Sequence, residues 1–341
     1  MPLEVEHRGS SSRSAAHSRD GIVIGLLNNM PDPALEATEL QFSALLTAAA
    51  GSRAVRLRFS SLPELPRGPD AQARIDSDYW PLDELLAQRP DALIVTGTEP
   101  RAPVLEEEPY WQRLVRLIEW AEAHTSTTVW SCLAAHAVAQ ALHGVRRQRL
   151  AEKRFGVFEH QMQGEHLLLE GLRAPLLTPH SRWNELPVPA LAAAGFSVLS
   201  SSAATGADLF VHARRSLFVC FQGHPEYEPA TLLKEYRRDV GRYLRGEHPG
   251  WPNLPHGYFS PEALQLIDSF RQRAEPAREP QLLADFPLGA LIAGLAPRWQ
   301  AGAVAIYRNW LKYVAVATDR TRKPAVAGVS FQAENKAHEH H

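Results

Sequence analysis

The sequence predicts an α/β fold: a mostly parallel sheet with helices on both faces, a β-rich insertion, and a C-terminal helical extension. Three observations carry this. Gly21–Leu27, Asp91–Thr96 and Thr127–Ser131 are apolar runs of strand length that lack the polar alternation of a half-exposed strand. Each is followed by a segment of helical length and periodicity, so strands and helices alternate along the chain. The connections are short and turn-rich, as parallel β–α units require.

Taken in order, Gly21–Leu27 suits a central strand and ends in the turn Asn28-Asn29-Met30-Pro31-Asp32-Pro33. A helix follows from Ala34 to about Ala50, with Leu35, Leu40, Phe42, Leu45 and Leu46 on its apolar face. Ala54–Ser60 alternates Val55, Leu57 and Phe59 with Arg56 and Arg58, the pattern of a strand near a sheet edge. Residues 61–80 are Pro-rich and polar and read as surface loop. Leu82–Gln88 and Pro109–His124 read as helices, the second amphipathic and carrying Trp111, Leu114, Leu117, Ile118 and Trp120. Residues 153–221 break into short strand-like pieces, Phe155–Phe158, His166–Leu169, Phe196–Ser200, Leu209–His212 and Leu217–Phe221, the β-rich insertion. A helix starts near Glu228, and further helices are expected over 261–274 and 299–317.

The organisation that follows is a disordered polar leader over 1–20, one domain over 21–318, and a flexible tail over 319–341. Within the domain, 21–246 is the α/β core and 247–318 the extension. The leader has no apolar stretch of a signal peptide. The closing His338, His340 and His341 read as a solvated tail rather than a metal site. An apolar content of 45% is enough for a sizeable core, and a net charge of −2 gives no electrostatic footprint for nucleic acid or membrane. No run approaches the roughly 20 apolar residues of a membrane span. Two cysteines, Cys132 and Cys220, do not make a disulfide framework and fit a reducing cytoplasm. Cys220 reads as a core thiol.

Cys132 stands where the strand Thr127–Ser131 turns into an Ala- and Leu-rich helix, Leu133–Leu142. A side chain at such an elbow is pushed out of the sheet edge, and the first-turn N–H groups and helix dipole face it. They favour a thiolate and an oxyanion, so Cys132 is a candidate nucleophile; a small buried thiol is the bland alternative. Gly223-His224-Pro225-Glu226 follows another apolar strand, so His224 reaches the same edge, with Glu226 able to orient its imidazole. The combination is a Cys–His–Glu triad and is far more specific than either part alone.

These residues, with their neighbours, resemble the homoserine O-succinyltransferase (homoserine O-acyltransferase) family, whose fold is class I glutamine-amidotransferase-like, of flavodoxin-like type. The matching stretches include Leu27–Phe42, Ala92–Gly97, Thr125–Cys132, Glu152–His160, Pro179–Arg182, Gly223–Tyr227, Glu235–Asp239 and Asn309–Tyr313. The resemblance implies an acyl-CoA-dependent O-acyltransferase in methionine biosynthesis, working ping-pong through an acyl-Cys132 thioester. His224 is the implied base, Glu226 its orienter, and the N–H groups of Leu133 and of the Gly97-Thr98 turn the oxyanion hole. Lys153, Ser181, Glu235 and Arg238 are the implied acceptor-binding residues. Arg238 suits a carboxylate and Glu235 an ammonium, although by themselves the pair reads as a solvated i,i+3 contact. The resemblance further implies a cytoplasmic homodimer with no bound cofactor or metal and with succinyl-CoA or acetyl-CoA as co-substrate. Serine in place of homoserine, or an amidase on the same fold, are the alternatives.

Four positions depart from the family pattern. Asp32-Pro33 follows Met30-Pro31 where a lysine is usual, and Leu133 replaces a tryptophan after the nucleophile. Gly302 stands for a histidine near Trp299. Arg101 occupies the position that selects the acyl group, where its charge would suit a dicarboxylic acyl chain.

Overall fold

The computed structural model describes residues 3–8 and 21–322. Its strands are β1 (Leu3–Val5), β2 (Ile22–Leu27), β3 (Val55–Ser60), β4 (Ala92–Val95), β5 (Thr127–Ser131), β6 (Gln148–Met162), β7 (Leu176–Glu185), β8 (Ser197–Val198), β9 (Ser200–Ser202), β10 (Gly206–Ala207), β11 (Leu209–Ala213) and β12 (Leu217–Phe221). Its α-helices are α1 (Leu35–Ala50), α2 (Pro69–Asp78), α3 (Leu82–Ala87), α4 (Trp111–His124), α5 (Leu133–His143), α6 (Val188–Ala193), α7 (Thr231–Leu244), α8 (Pro261–Ala277), α9 (Leu288–Ala293) and α10 (Gln300–Arg322).

The large sheet runs β1-β3-β2-β4-β5-β12-β11-β8. From β1 to β12 every pairing is parallel, and β11 and β8 add on antiparallel. β2, β4, β5 and β12 are buried along their whole length, which is why their sequences are continuously apolar rather than alternating. One face packs on α1 and α10 through Phe42, Leu46, Tyr307, Trp310 and Leu311, whereas Leu40, expected on the apolar face of α1, lies on its outer side at 59% exposed. The other packs on α3, α4 and α5 through Leu85, Leu114, Ile118, Ala135 and Val138. The parallel order puts the C-terminal ends of β2, β4, β5 and β12 on one edge, where sites form in such sheets.

A second sheet, β10-β9-β6-β7, is antiparallel and stands beside that edge. A third apolar cluster lies between it and the C-terminal part, joining Phe155 and Val157 of β6 to Tyr236 and Val240 of α7, Ile267 and Phe270 of α8, and Trp299.

Several elements differ from the sequence expectation, each for a physical reason. Leu3–Val5, read as leader, forms an edge strand, and Glu6 beyond it holds Arg58 at 2.7 Å. Leu3 and Val5 alternate with Glu4 and pack on the main core, but three residues are too few for that alternation to stand out; residues 9–20 lie outside the described residues. Residues 61–80, read as loop, contain α2, which buries none of its side chains and so carries no apolar stripe. His166–Leu169, read as a strand, holds only the 3-10 turn Leu167–Leu169. Phe196–Ser200 divides into β8 and β9, which join different sheets. The extension is not an appendage, since α10 fills the main core and its Trp310 indole donates to Thr127 Oγ1 of β5 at 3.0 Å. Helix α10 continues to Arg322, and the tail histidines lie outside the described residues. No helix among the described residues is long and apolar enough to cross a membrane.

Gly156 on β6 is required by close approach. Its φ of 140° is a conformation that side chains rarely adopt, and the segment at His256 lies directly against it. Val157 N donates to His256 O at 2.8 Å and His256 N to Phe155 O at 2.9 Å, so a Cβ at position 156 would collide with the His256 backbone. Gly156→Ala is expected to lower the unfolding free energy by about 3 kcal/mol, read by urea or thermal unfolding; wild-type stability in the variant would show that the packing is not needed.

Candidate active site

Cys132 sits at the N-terminus of α5 with φ 54° and ψ −112°. A positive φ on a non-glycine residue costs about 1–3 kcal/mol and is retained where the surroundings over-determine it. Here Cys132 N donates to Phe221 O at 2.8 Å, and His136 N to Cys132 O at 3.2 Å. The bend leaves the thiol half-exposed at the sheet edge. Gly97, after β4, closes the other side. A Cβ there would lie 3.0 Å from Leu133 N and 3.3 Å from Ser131 O, so only glycine lets the Gly97-Thr98 turn approach the first helical N–H so closely. The two backbone segments named for an oxyanion hole are therefore adjacent.

The same edge receives His224. Its Nδ1 lies 2.8 Å from Glu226 Oε1, which also accepts from Ser131 Oγ at 3.5 Å. His224 N donates to Pro179 O, and Gly223 N to Asp208 Oδ1 at 3.0 Å, so the turn is anchored from β7 and from the residue before β11. Burial opposes charging His224, but the Glu226 carboxylate and the Cys132 sulfur, with hydrogen bonds to both, outweigh it. The imidazole is held well above the usual histidine range. Cys132, His224 and Glu226 thus form one connected unit.

Lys153 of β6, Ser181 of β7, and Glu235 and Arg238 of α7 also come together. Ser181 Oγ donates to Glu235 Oε2 at 2.5 Å, Tyr227 OH to Glu235 Oε1 at 2.9 Å, and Lys153 Nζ lies 3.4 Å from Glu235 Oε2. Arg238 reaches Glu235 only at 3.9 Å and pairs instead with Asp239 at 2.9 Å; its side chain is 49% exposed. A solvated Glu235–Arg238 pair is thus not what the structure holds: the carboxylate is enclosed by three donors, and the guanidinium keeps an open face.

Arg101 is exposed. Its backbone N–H and that of Ala102 donate to Glu108 Oε1 at 2.6 and 2.7 Å, which fixes the loop rather than the guanidinium. Half-buried Arg147 lies in the electrostatic field of Cys132 and donates to Pro103 O at 3.4 Å, a cation that sequence reasoning did not single out. Burial is the main influence on it and lowers its pKa. Asp32, at the first-loop departure, accepts from Gly68 N at 2.7 Å and Arg67 Nη1 at 3.2 Å. These bonds, the backbone one foremost, hold its carboxyl below the usual range, and Asp32 serves to tie two loops. A Cβ at Gly302 would lie 3.9 Å from Leu176 Cδ2, an ordinary contact.

Buried His160, His180 and Asp208 lie close enough to suggest a metal site. The donor set argues against one. Arg182 Nε donates to His180 Nδ1 at 3.2 Å, and burial first, then Arg182, pushes His180 well below the usual range. A neutral imidazole that accepts at Nδ1 carries its proton on Nε2, the atom facing Asp208 at 3.5 Å. That atom then carries a proton and makes no hydrogen bond, so it offers no lone pair to a metal.

The residues that sequence reasoning missed are Tyr227, Asp208 and Arg147. Tyr227 carried a signal, being the last letter of the Gly223–Tyr227 motif, but an aromatic beside a turn reads first as core.

Comparisons with known proteins agree with this geometry. A family model described as homoserine O-succinyltransferase matches residues 7–321. A homoserine O-succinyltransferase of Rhodopseudomonas palustris is 47% identical over 311 residues, spanning 91% of this chain and 93% of that protein. One of Bradyrhizobium japonicum is 43% identical over 297 residues, spanning 86% and 90%. Among solved structures, a glutamine amido transferase from Methylobacillus flagellatus superposes with a TM-score of 0.50 at 16% identity, covering 95% of this chain and all of that one. This last likeness concerns the fold alone.

The two thiols should differ in reactivity. Native protein is expected to take up one iodoacetamide adduct, on Cys132, while fully buried Cys220, its thiol pushed up by burial, reacts only after denaturation. His224→Ala should slow the Cys132 reaction about tenfold or more at neutral pH. Peptide mapping reads both, and native labelling of Cys220 would overturn the assignment.

Proposed function

The chain belongs to the homoserine O-succinyltransferase family, a family of acyltransferases, and on that premise we propose that it transfers a succinyl group from succinyl-CoA to the hydroxyl of homoserine, in methionine biosynthesis. The observation that carries this is the adjacency of Cys132, His224 and Glu226 to the Lys153–Ser181–Glu235–Arg238 cluster, with Tyr227 touching both groups.

The reaction runs in two halves. Cys132 Sγ, its proton passed to His224, attacks the carbonyl carbon of the acyl-CoA thioester. The carbonyl oxygen becomes an oxyanion facing the N–H groups of Leu133 and Thr98. The bond to the CoA sulfur breaks, and that sulfur leaves with the proton from His224. Cys132 now carries the acyl group. The homoserine hydroxyl then gives its proton to His224 and attacks the thioester, and Cys132 leaves as the acyl ester forms. Glu226 holds His224 in the tautomer and orientation that serve both halves. Arg238 offers its open guanidinium face to the acceptor's carboxylate, and Glu235 its carboxylate to the ammonium. Arg101 and Arg147 are the cations available to the free carboxylate of a succinyl chain.

Intact-protein mass after mixing with succinyl-CoA alone tests the first half. Wild type is expected to gain one succinyl group and Cys132→Ala none; a wild type that gains nothing from succinyl-CoA or acetyl-CoA refutes the reaction. Arg238→Ala should raise the half-saturating homoserine concentration about tenfold or more in steady-state assays. Arg101→Gly should erode the preference for succinyl-CoA over acetyl-CoA, and equal preference in both proteins would remove Arg101 from donor selection.

A further inference from the structure

Tyr227 is held at four points. Its ring lies face to face with the His224 imidazole, centroids 4.4 Å apart and planes 17° from parallel. Its hydroxyl donates to Glu235 Oε1 at 2.9 Å. Its N–H donates to His224 O at 3.2 Å, and its carbonyl accepts the Trp299 indole N–H at 2.8 Å. The residue is 8% exposed. Burial first, then Glu235, keeps the hydroxyl protonated well beyond the usual tyrosine range, so it remains a donor at any working pH.

We infer that Tyr227 is a positioning residue that couples acceptor capture at Glu235 to the placement of the base His224. This rests on the reaction proposed above. Glu226 fixes one imidazole nitrogen but leaves the ring free to pivot about that bond. A flat aromatic face against the imidazole removes the pivot on one side and favours its charged form, because the electron-rich face attracts a cation. The groups facing His224 are Cys132 from the elbow, Glu226 on its own turn, His180 of β7 within electrostatic reach, and Tyr227, with Glu235 behind it. The same ring carries the hydroxyl that fixes Glu235. A shift of the Glu235 carboxylate is therefore transmitted through one rigid phenol to His224, while the Trp299 bond and the backbone keep the phenol from sliding away.

Two variants of the full chain separate the two contacts. Tyr227→Phe keeps the ring and removes the hydroxyl; Tyr227→Leu removes the ring. The measurements are acylation of Cys132 by succinyl-CoA without acceptor, decay of the acyl-enzyme against homoserine concentration, and titration of the His224 imidazole by NMR without substrates. Near-UV circular dichroism confirms that each variant is folded. In Tyr227→Phe the half-saturating homoserine concentration is expected to rise about tenfold or more, with a several-fold smaller effect on acylation. In Tyr227→Leu the His224 titration should also move down, toward the usual histidine range. Equal slowing of both half-reactions in both variants would mark a merely structural tyrosine and overturn the inference, as would a His224 titration unmoved in Tyr227→Leu. Failure of the wild type to take up any acyl group would refute the reaction itself, a result separate from the titration.

Discussion

The site depends on the parallel pairing of β5 with β12. Five residue pairs run from Leu217 opposite Thr127 to Phe221 opposite Ser131, and the bond from Cys132 N to Phe221 O carries the ladder one step past the last pair. Cys132 and His224, the proposed nucleophile and base, are therefore neighbours because their strands are. A slip of one residue would send every side chain of a strand to the opposite face. Both faces resist it. Val129 and Val219 face the α1 and α10 layer, while Trp130, Phe218 and Cys220 face the α4 and α5 layer, with Trp130 and Phe218 stacked at 5.8 Å. Thr127 Oγ1 donates to Leu217 O at 2.7 Å and accepts from Trp310. Thus α10, far along the chain, helps to lock the register on which the elbow rests.

The elbow itself is a local violation that its surroundings enforce. Cys132 holds a positive φ that a side chain resists, and it does so between two fixed points, the end of the β5–β12 ladder and the start of α5. Gly97 completes the arrangement by omission, since any side chain there would meet Leu133 N. Strain in one residue and absence of a side chain in another bring two backbone segments to the face where negative charge would develop. Neither feature stabilises the fold. Both are consistent with a backbone shaped for chemistry.

What was legible in the sequence follows from what periodicity can report. Strands β2, β4, β5 and β12 and helices α4 and α5 were legible because continuous burial and one-sided burial leave distinct apolar patterns. Cys132 and His224 were legible because each follows such a strand and so inherits its position at the sheet edge. Helix α2 was not, because it buries no side chain, and strand β1 was not, because its Leu3 and Val5 alternation is only three residues long. The gathering of Lys153, Ser181 and Glu235 was invisible to local reasoning, since the three sit on β6, β7 and α7, brought together only by the second sheet and the third cluster; the family resemblance supplied them. Its silence on Tyr227 has the same root, because stacking on His224 and bonding to Glu235 are tertiary facts.

Under the reaction proposed above, the two sheets divide the work, and the acceptor side is the more finely balanced. The elbow and the end of β12 belong to the large sheet, while Lys153 and Ser181 belong to the small one; the Gly223–Tyr227 turn is bonded to both. Glu235 already accepts from Ser181, Tyr227 and Lys153. A half-buried carboxylate without partners would be costly, so these bonds hold Glu235 in place. An ammonium that reaches Glu235 must then exchange with a donor already there. Lys153 is the one able to yield, because it also lies 3.6 Å from Asp239 and 4.1 Å above the Phe155 ring, contacts that hold its charge when Glu235 is taken. Ser181 and Tyr227 have no such alternative and stay. An acceptor lacking a positive charge gains nothing from that exchange, so under the proposed reaction this network favours an amino acid over a simple alcohol.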